Sequence, residues 1–215
     1  MHKHDKYYSQ HVDGCITLKH KHYIRYMSPY YYYYSSMKAR VGTGKKALHD
    51  AFPSVYDNRS LCKAWQGDQG YKAFCLWCDN TEGFNLFDKD GRRWQLDKDF
   101  LSTGNNLYSP VKCCFIPQSI NSMIKPNHKG KVTNDKYRTI CKGVTESKTK
   151  DGVISYRVSC CGKYLGKFSD LLSARIAYDN HFKLNLKIKL FDYFPMLDER
   201  VLESIVKMID KPLIK

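Results

Sequence analysis

The alternation of apolar and polar residues predicts a strand, a turn, a second strand and a helix in the middle of the chain. Residues 93–96 alternate as a half-buried strand does, and residues 112–116 are compact and β-prone. Between them, residues 102–106 have the glycine and asparagine content of a turn. Pro117 suits the first position of a helix that continues through Ile124.

Hydrophobic spacing also predicts helices before this segment, and strands followed by helices after it. Short strands are predicted at 139–147, 154–160 and 164–168, and a helix at 171–186. A short helix at 47–52 would end at Pro53. The apolar residues at helical spacing are Tyr71, Phe74, Cys75 and Cys78 in one predicted helix, and Leu197, Val201, Ile205 and Met208 in another.

These elements predict an α+β fold in four parts. Residues 1–46 would form an N-terminal arm, and residues 47–128 a domain built on the strand–turn–strand–helix unit with supporting helices. Residues 129–190 would form a small three-stranded antiparallel sheet packed on one helix. Residues 191–215 would hold a C-terminal amphipathic helix. The polar, basic stretch 125–137 contains proline and glycine, so it is predicted to link the two domains.

The large positive charge of the chain favours a polyanion as its partner. The net charge is +15, with 36 Lys and Arg against 21 Asp and Glu, which favours nucleic acid or an acidic membrane surface. The arm combines cations and histidines with five consecutive tyrosines at 30–34. This composition suits phosphate contacts and base stacking. Alternatively, this arm is only a loosely packed extension. A strand through Ile24 is also possible within it.

Cysteine content and hydropathy predict a cytoplasmic protein with reduced thiols. Nine cysteines are present, and the first residues lack the apolar region of a signal peptide. No stretch reaches the length of a transmembrane helix, so no membrane partner is expected. Cys75 and Cys78 form a single CxxC pair without a second one, and Cys113–Cys114 and Cys160–Cys161 are adjacent. No zinc site is therefore expected.

The central segment resembles the ββα-metal motif of HNH endonucleases, and in particular the HNH homing endonucleases of tailed phages. The matching residues are Trp94, Leu96, Asp97, Lys98, Asp99, Gly104, Asn105, Tyr108, Ser109, Pro110, Cys114, Phe115, Pro117, Ile120 and Asn121. The resemblance implies phosphodiester hydrolysis assisted by one Mg²⁺ or Mn²⁺. It implies catalytic roles for Asp97, Lys98, Asp99 and Asn121, with Asp97 and Asn121 as metal ligands.

Two residues depart from the family pattern. Lys98 stands where the family has its general-base His, and Lys112 stands where it has the middle Asn. A lysine acts as a base only where burial or a nearby cation lowers its pKa, and flanking carboxylates act in the opposite direction. Residues 97–99 are therefore interpreted either as a working site or as part of a decayed nuclease scaffold. A solvated, salt-bridged hairpin corner is the plain structural interpretation.

The predicted small sheet resembles the APETALA/ethylene-response-factor type of DNA-binding domain. The matching residues are Gly143, Val144, Tyr156, Arg157, Val158, Gly162, Lys163, Leu165, Gly166, Lys167, Phe168, Ala174, Arg175, Ile176, Ala177 and Tyr178. The resemblance implies double-stranded DNA as partner and DNA contacts from Arg157, Lys163 and Lys167, which should share the solvent face of the sheet.

The sequence supports three hypotheses for the function. The first is a phage endonuclease acting in the cytoplasm of the host cell, and the second is a DNA-binding protein on a decayed nuclease scaffold. The third is a basic protein that engages an acidic host protein. The target sequence and the oligomeric state are left open.

Overall fold

The structure, a computed structural model, describes residues 16–20, 23–42, 58–125 and 137–211, which form a mixed α+β chain. The strands are β1 Ile16–His20, β2 Tyr23–Met27, β3 Ser60–Leu61, β4 Gln95–Asp97, β5 Leu107–Tyr108, β6 Cys114–Ile116, β7 Tyr137–Cys141, β8 Val144–Lys148, β9 Ile154–Cys160 and β10 Lys163–Phe168. The helices are α1 Pro29–Arg40, α2 Gly67–Asp79, α3 Gln118–Ile124, α4 Leu171–Tyr193 and α5 Glu199–Asp210. The predicted α+β class is confirmed, while the predicted helix at 47–52 and most of the predicted linker lie outside the described residues.

The chain divides into two compact units. Unit 1 contains the residues up to 118 together with 196–201, and unit 2 contains 119–195 together with the residues from 202 onwards. Among the residues that the structure describes, no helix combines the length and the apolar character needed to cross a membrane.

Helix α1 carries three of the five consecutive tyrosines into the core of unit 1. Tyr30, Tyr33 and Tyr34 are at most 9% exposed. The Tyr33 hydroxyl donates to the carbonyl of Trp94 at 2.5 Å, and the Tyr34 hydroxyl donates to the carbonyl of Trp65 at 2.8 Å. The base-stacking role predicted for the tyrosine run is therefore wrong for these three residues. Because residues 30–34 are identical, they show no alternation of polar and apolar side chains. The sequence therefore could not indicate which of these tyrosines face the core.

Helix α2 packs its predicted apolar face into the same core. Tyr71, Phe74, Cys75 and Cys78 are all buried, which confirms the helical spacing found in the sequence. The Phe74 ring lies 5.4 Å from that of Tyr34 and 5.1 Å from that of Trp65, centroid to centroid. Aromatic contacts of this kind add to the burial of apolar area, so α1 and α2 together build the support behind the central strands.

The central segment has the predicted order of strand, turn region, strand and helix. β4 and β6 pair antiparallel, with Leu96 opposite Phe115 and Asp97 opposite Cys114. The short strand β5 lies in the intervening segment and pairs parallel with β3. Helix α3 begins directly after Pro117.

Residues 196–201 join unit 1 through the side chain of Arg200. Its guanidinium binds the Asp198 carboxylate through Nε at 2.9 Å and Nη2 at 2.6 Å. The same group donates to the carbonyls of Pro110, Val111 and Cys113 at 3.3, 3.0 and 3.2 Å. Asp198 is 5% exposed, so this ion pair is buried on the carboxylate side.

Unit 2 contains one antiparallel sheet of four strands, in the order β10-β9-β8-β7. Three strands were predicted because residues 139–147 were interpreted as one strand. Gly143, at φ +72°, instead turns the chain between β7 and β8, and Cys141 pairs with Val144 across that turn. Glycine adopts this left-handed conformation without the steric cost that a Cβ imposes.

Helix α4 covers one face of this sheet. Val144, Val158 and Ala174 are fully buried between sheet and helix, and Tyr156, Leu165, Phe168 and Tyr178 pack around them. The helix continues to Tyr193, beyond the predicted end at Leu186. Apolar residues line one face of the sheet as predicted, which leaves the other face for solvent.

Candidate functional sites

Asp97 ends β4 and fixes the turn that follows it. Its Oδ1 accepts hydrogen bonds from the backbone N–H groups of Asp99 and Phe100, both at 2.8 Å. A carboxylate that accepts from the backbone two and three residues ahead stabilises a turn locally. This contact gives Asp97 a structural role whether or not it has a chemical one.

Lys98 is buried and is held in place by its own loop. Only 4% of the residue is exposed, and its ammonium donates to the carboxylate of Asp99 and, at 2.5 Å, to the carbonyl of Asn105. The Asn105 amide in turn donates to the carbonyl of Lys98 at 2.9 Å. Lys98 and Asn105 therefore tie the two ends of the loop together. The predicted salt bridge is present, but the corner is not fully solvated, since only Asp99 is exposed.

These contacts oppose a role for Lys98 as a general base. An ammonium group is a donor with no free lone pair, and it must lose a proton before it can accept one. In the structure this group acts as a donor to both Asp99 and Asn105. Lys112, at the position of the family's middle Asn, donates from Nζ to the Ser102 hydroxyl at 3.5 Å, so a second cation lies at this loop.

The carboxylates of this loop fit Mg²⁺ or Mn²⁺ poorly. A hard divalent cation takes oxygen ligands, and Asp97 and Asp99 supply them, but Asp99 is already paired with the Lys98 ammonium. A metal bound there would meet a like charge. Within the described residues, no group of three His, Cys, Asp or Glu side chains is placed to hold a metal. Asn121 is buried in α3 at 4% exposure and belongs to unit 2, and its convergence with Asp97 stays a prediction.

The solvent face of the sheet in unit 2 presents a second candidate site. Arg157 and Lys167 are directly opposite each other in the β9–β10 pairing, and both are exposed. Residues paired in this way point to the same face. The Arg157 guanidinium lies 5.7 Å from the ring centroid of Tyr164, which is 54% exposed. Two cations and an accessible aromatic ring therefore share one surface.

Hydroxyl side chains complete this surface, which we call the basic face. Strand pairing and alternation assign to it Thr139, Thr145, Ser147, Ser155, Arg157, Ser159, Tyr164 and Lys167. Ser155 is the buried member of this set, and its hydroxyl donates to the carbonyl of Ser147 at 3.4 Å. None of these residues is acidic, and Glu146 pairs with Tyr156 on the helix side. The basic face thus offers cations and hydroxyl donors with no competing carboxylate among its assigned residues. Alternation of Ser155, Arg157 and Ser159 with apolar neighbours was the sequence signal for this row.

Lys163 does not share the basic face. It pairs with Cys160, which is 4% exposed on the helix side of the sheet. The β-bulge between Tyr164 and Gly166 shifts the register of β10, so that Tyr164 and Lys167 lie on one face although three residues separate them. The prediction that Lys163 joins Arg157 and Lys167 on one face is therefore wrong, and the bulge is the reason.

Comparison of the chain with family models, with curated proteins and with solved structures finds no match. The two resemblances therefore rest on the motif residues alone, and the functional argument rests on the geometry of the two candidate sites.

Proposed function

We propose that the protein binds double-stranded DNA through the basic face of its four-stranded sheet. The observation that supports this most directly is the register pairing of Arg157 with Lys167 beside the exposed ring of Tyr164, on a face with no assigned carboxylate. Phosphates are bound by Lys, Arg and hydroxyl donors of this kind.

The dimensions of the sheet suit a DNA groove. Neighbouring strands lie about 4.8 Å apart, so β9 and β10, which carry Arg157 and Lys167, form a narrow two-stranded ribbon. The major groove of B-DNA is about 12 Å wide and admits a two-stranded ribbon or a helix. β9 is an inner strand and β10 an edge strand. In the proposed complex Arg157 on β9 would therefore reach a base edge, and Lys167 on β10 would contact a phosphate.

The loop at 98–105 acts in this proposal as a structural part of unit 1. Lys98 and Asn105 hold its ends together, and Asp97 caps its first turn. These bonds give the Asp-Lys-Asp sequence a structural role that needs no hydrolysis, and they favour a DNA-binding protein on a nuclease-like scaffold over a working nuclease.

Salt titration of duplex binding tests the basic face. Removing a lysine that contacts a phosphate should flatten the slope of log affinity against log salt by about one unit. We expect this for Lys167→Ala, while Arg157→Ala should cost about 1–3 kcal/mol of discrimination at one base pair. Lys163→Ala is the matched control, because its side chain lies on the helix side of the sheet.

Equal affinities and slopes for all four proteins would show that the basic face does not bind DNA. If the wild type fails to bind any duplex at low salt, the DNA proposal is lost and the acidic-protein partner becomes the function to test.

Plasmid nicking tests the role of the loop. The Lys98 ammonium would repel a divalent cation bound at this loop. In Mg²⁺ or Mn²⁺ we therefore expect the wild-type protein to nick plasmid DNA no more than the Asp97→Asn variant does. Asparagine keeps the Oδ1 acceptor for the turn but removes the charge, so this variant should stay folded. Divalent-dependent nicking by the wild type that Asp97→Asn abolishes would instead establish the endonuclease alternative.

A further inference from the structure

Cys160 and Cys161 bring two thiols together at the end of the β9–β10 hairpin. Their sulfur atoms are 3.5 Å apart. Cys160 is 4% exposed, whereas Cys161 is exposed. Successive side chains of an extended strand point to opposite faces, so adjacent cysteines in a regular strand keep their sulfurs apart. The short distance here requires a special backbone conformation.

That conformation is provided by the two-residue turn after Cys160. Cys161 has φ +52° and Gly162 has φ +79°, and the strands resume with Cys160 opposite Lys163. Positive φ at both central residues is typical of a tight hairpin turn. It is uncommon for a residue other than glycine, so Cys161 occupies a position with a steric cost. The turn directs its side chain back toward that of Cys160.

The surroundings give the two thiols different properties. Burial raises the pKa of Cys160, which also bonds to the Tyr178 hydroxyl on the helix side. The ammonium of Lys142 interacts electrostatically with both thiols and is held by the carbonyls of Met123 and Lys125. The thiolate is the reactive form of cysteine. A dissolved oxidant reaches the exposed Cys161, whereas Cys160 is the buried thiol beside it.

We propose that Cys160 and Cys161 are a reversible oxidation site, at which a hydroperoxide converts the pair into a disulfide between adjacent residues. The Cys161 thiolate attacks a peroxide oxygen; the O–O bond breaks, a sulfenic acid forms and hydroxide or an alkoxide leaves. The Cys160 sulfur then attacks the Cys161 sulfur. The S–S bond forms, the S–O bond breaks, and the hydroxyl leaves as water with the proton of Cys160. Two electrons pass from the thiols to the peroxide.

The geometry brings the two sulfurs close together and makes the resulting bond easy to reduce. A disulfide has a sulfur–sulfur distance of about 2.05 Å, so the sulfurs must approach by about 1.5 Å from their present separation. Closing a ring over one peptide bond strains the turn, and strained, exposed disulfides are the labile ones. Because β9 and β10 carry Arg157 and Lys167, movement of their shared turn should weaken DNA binding. This consequence, unlike the oxidation itself, rests on the proposed function.

Peptide mass measurement tests the site on the full-length protein. The sample is treated with hydrogen peroxide, alkylated and digested with trypsin, which cleaves after Arg157 and Lys163. The peptide 158–163 contains these two cysteines and no others. We expect it to be two hydrogens lighter, to carry no alkyl group and to recover both thiols with a dithiol reductant. Cys113 and Cys114 are an internal control, since they are adjacent but fully buried, and burial raises the pKa of Cys113 to about 12.

Two variants separate the steps. Cys160→Ser should stop at a sulfenic acid on Cys161 that dimedone traps, and Cys161→Ser should leave Cys160 reduced. A wild-type peptide that is doubly alkylated at peroxide doses that oxidise Cys160→Ser would overturn the proposal. Sulfonic acid or a dimer linked through Cys161 as the main wild-type product would also overturn it. DNA affinity is measured on the same samples, and the mass result decides the oxidation site even if the untreated protein binds no DNA.

Discussion

Gly143→Ala is expected to lower the free energy of unfolding of the sheet in unit 2 by about 3 kcal/mol or more. A left-handed residue with a Cβ costs about 1–2 kcal/mol by itself. At Gly143 the added Cβ would also lie 2.2 Å from the ring of Tyr178 and 2.4 Å from the carbonyl oxygen of Ser159. The Ser159 oxygen belongs to the β9 backbone and cannot rotate away, so the strand or the turn must move.

The matched control is Gly162→Ala in the next two-residue turn of the same sheet. Gly162 has a similar φ of +79°, but an added Cβ there meets no heavy atom within 4 Å. We expect only the conformational cost, about 1–2 kcal/mol. Urea unfolding followed by far-ultraviolet circular dichroism compares the two variants. Equal losses of stability would show that the close approach of Gly143 to Tyr178 and Ser159 does not limit this turn.

Arg200→Ala is expected to cost about 3 kcal/mol of stability in unit 1. Removing one partner of a buried ion pair typically costs about 3–5 kcal/mol, because the remaining charge is left without compensation. Asp198 is the buried partner, while 42% of the Arg200 side chain is exposed, so the low end of this range applies. The carbonyls of Pro110, Val111 and Cys113 would lose their donor at the same time.

A second substitution shows whether the unpaired charge is the cause. Asp198→Asn in the Arg200→Ala background removes the buried charge and keeps an acceptor for the Arg200 backbone N–H. We expect it to restore part of the stability, and thermal unfolding of both variants measures this. If the double variant is less stable than Arg200→Ala, the guanidinium stabilises the chain through the three carbonyls and not through Asp198.

The sequence predicted elements where polar and apolar residues alternate clearly. Helix α2 follows its spacing of Tyr71, Phe74, Cys75 and Cys78, and the β4–β6 pair with α3 follows the predicted order. The tyrosine run gave no such contrast, so burial in α1 was missed. The strand predicted over 139–147 failed for another reason, because a single glycine inside an apparent strand decides between continuation and reversal.

The candidate sites depended on information that the sequence did not contain. The bulge in β10 moved Lys163 off the face of Arg157 and Lys167, and a register shift depends on tertiary packing more than on residue type. Burial of Lys98 was also missed, because lysine is rarely fully buried. It becomes buried here only because Asp99 and Asn105 satisfy its ammonium across the loop.

The aromatic core of unit 1 makes the two units optically distinct. All three tryptophans of the chain, Trp65, Trp77 and Trp94, belong to unit 1, and Trp77 lies 5.0 Å from the Trp65 ring and 5.3 Å from that of Phe115. Fluorescence excited beyond the tyrosine absorption band therefore comes from unit 1 alone, while unit 2 contributes only to dichroism. Both signals can be followed as denaturant is added to one unmodified chain. If the tryptophan emission shifts to the red at one denaturant concentration and the sheet dichroism is lost at another, the two units differ in stability.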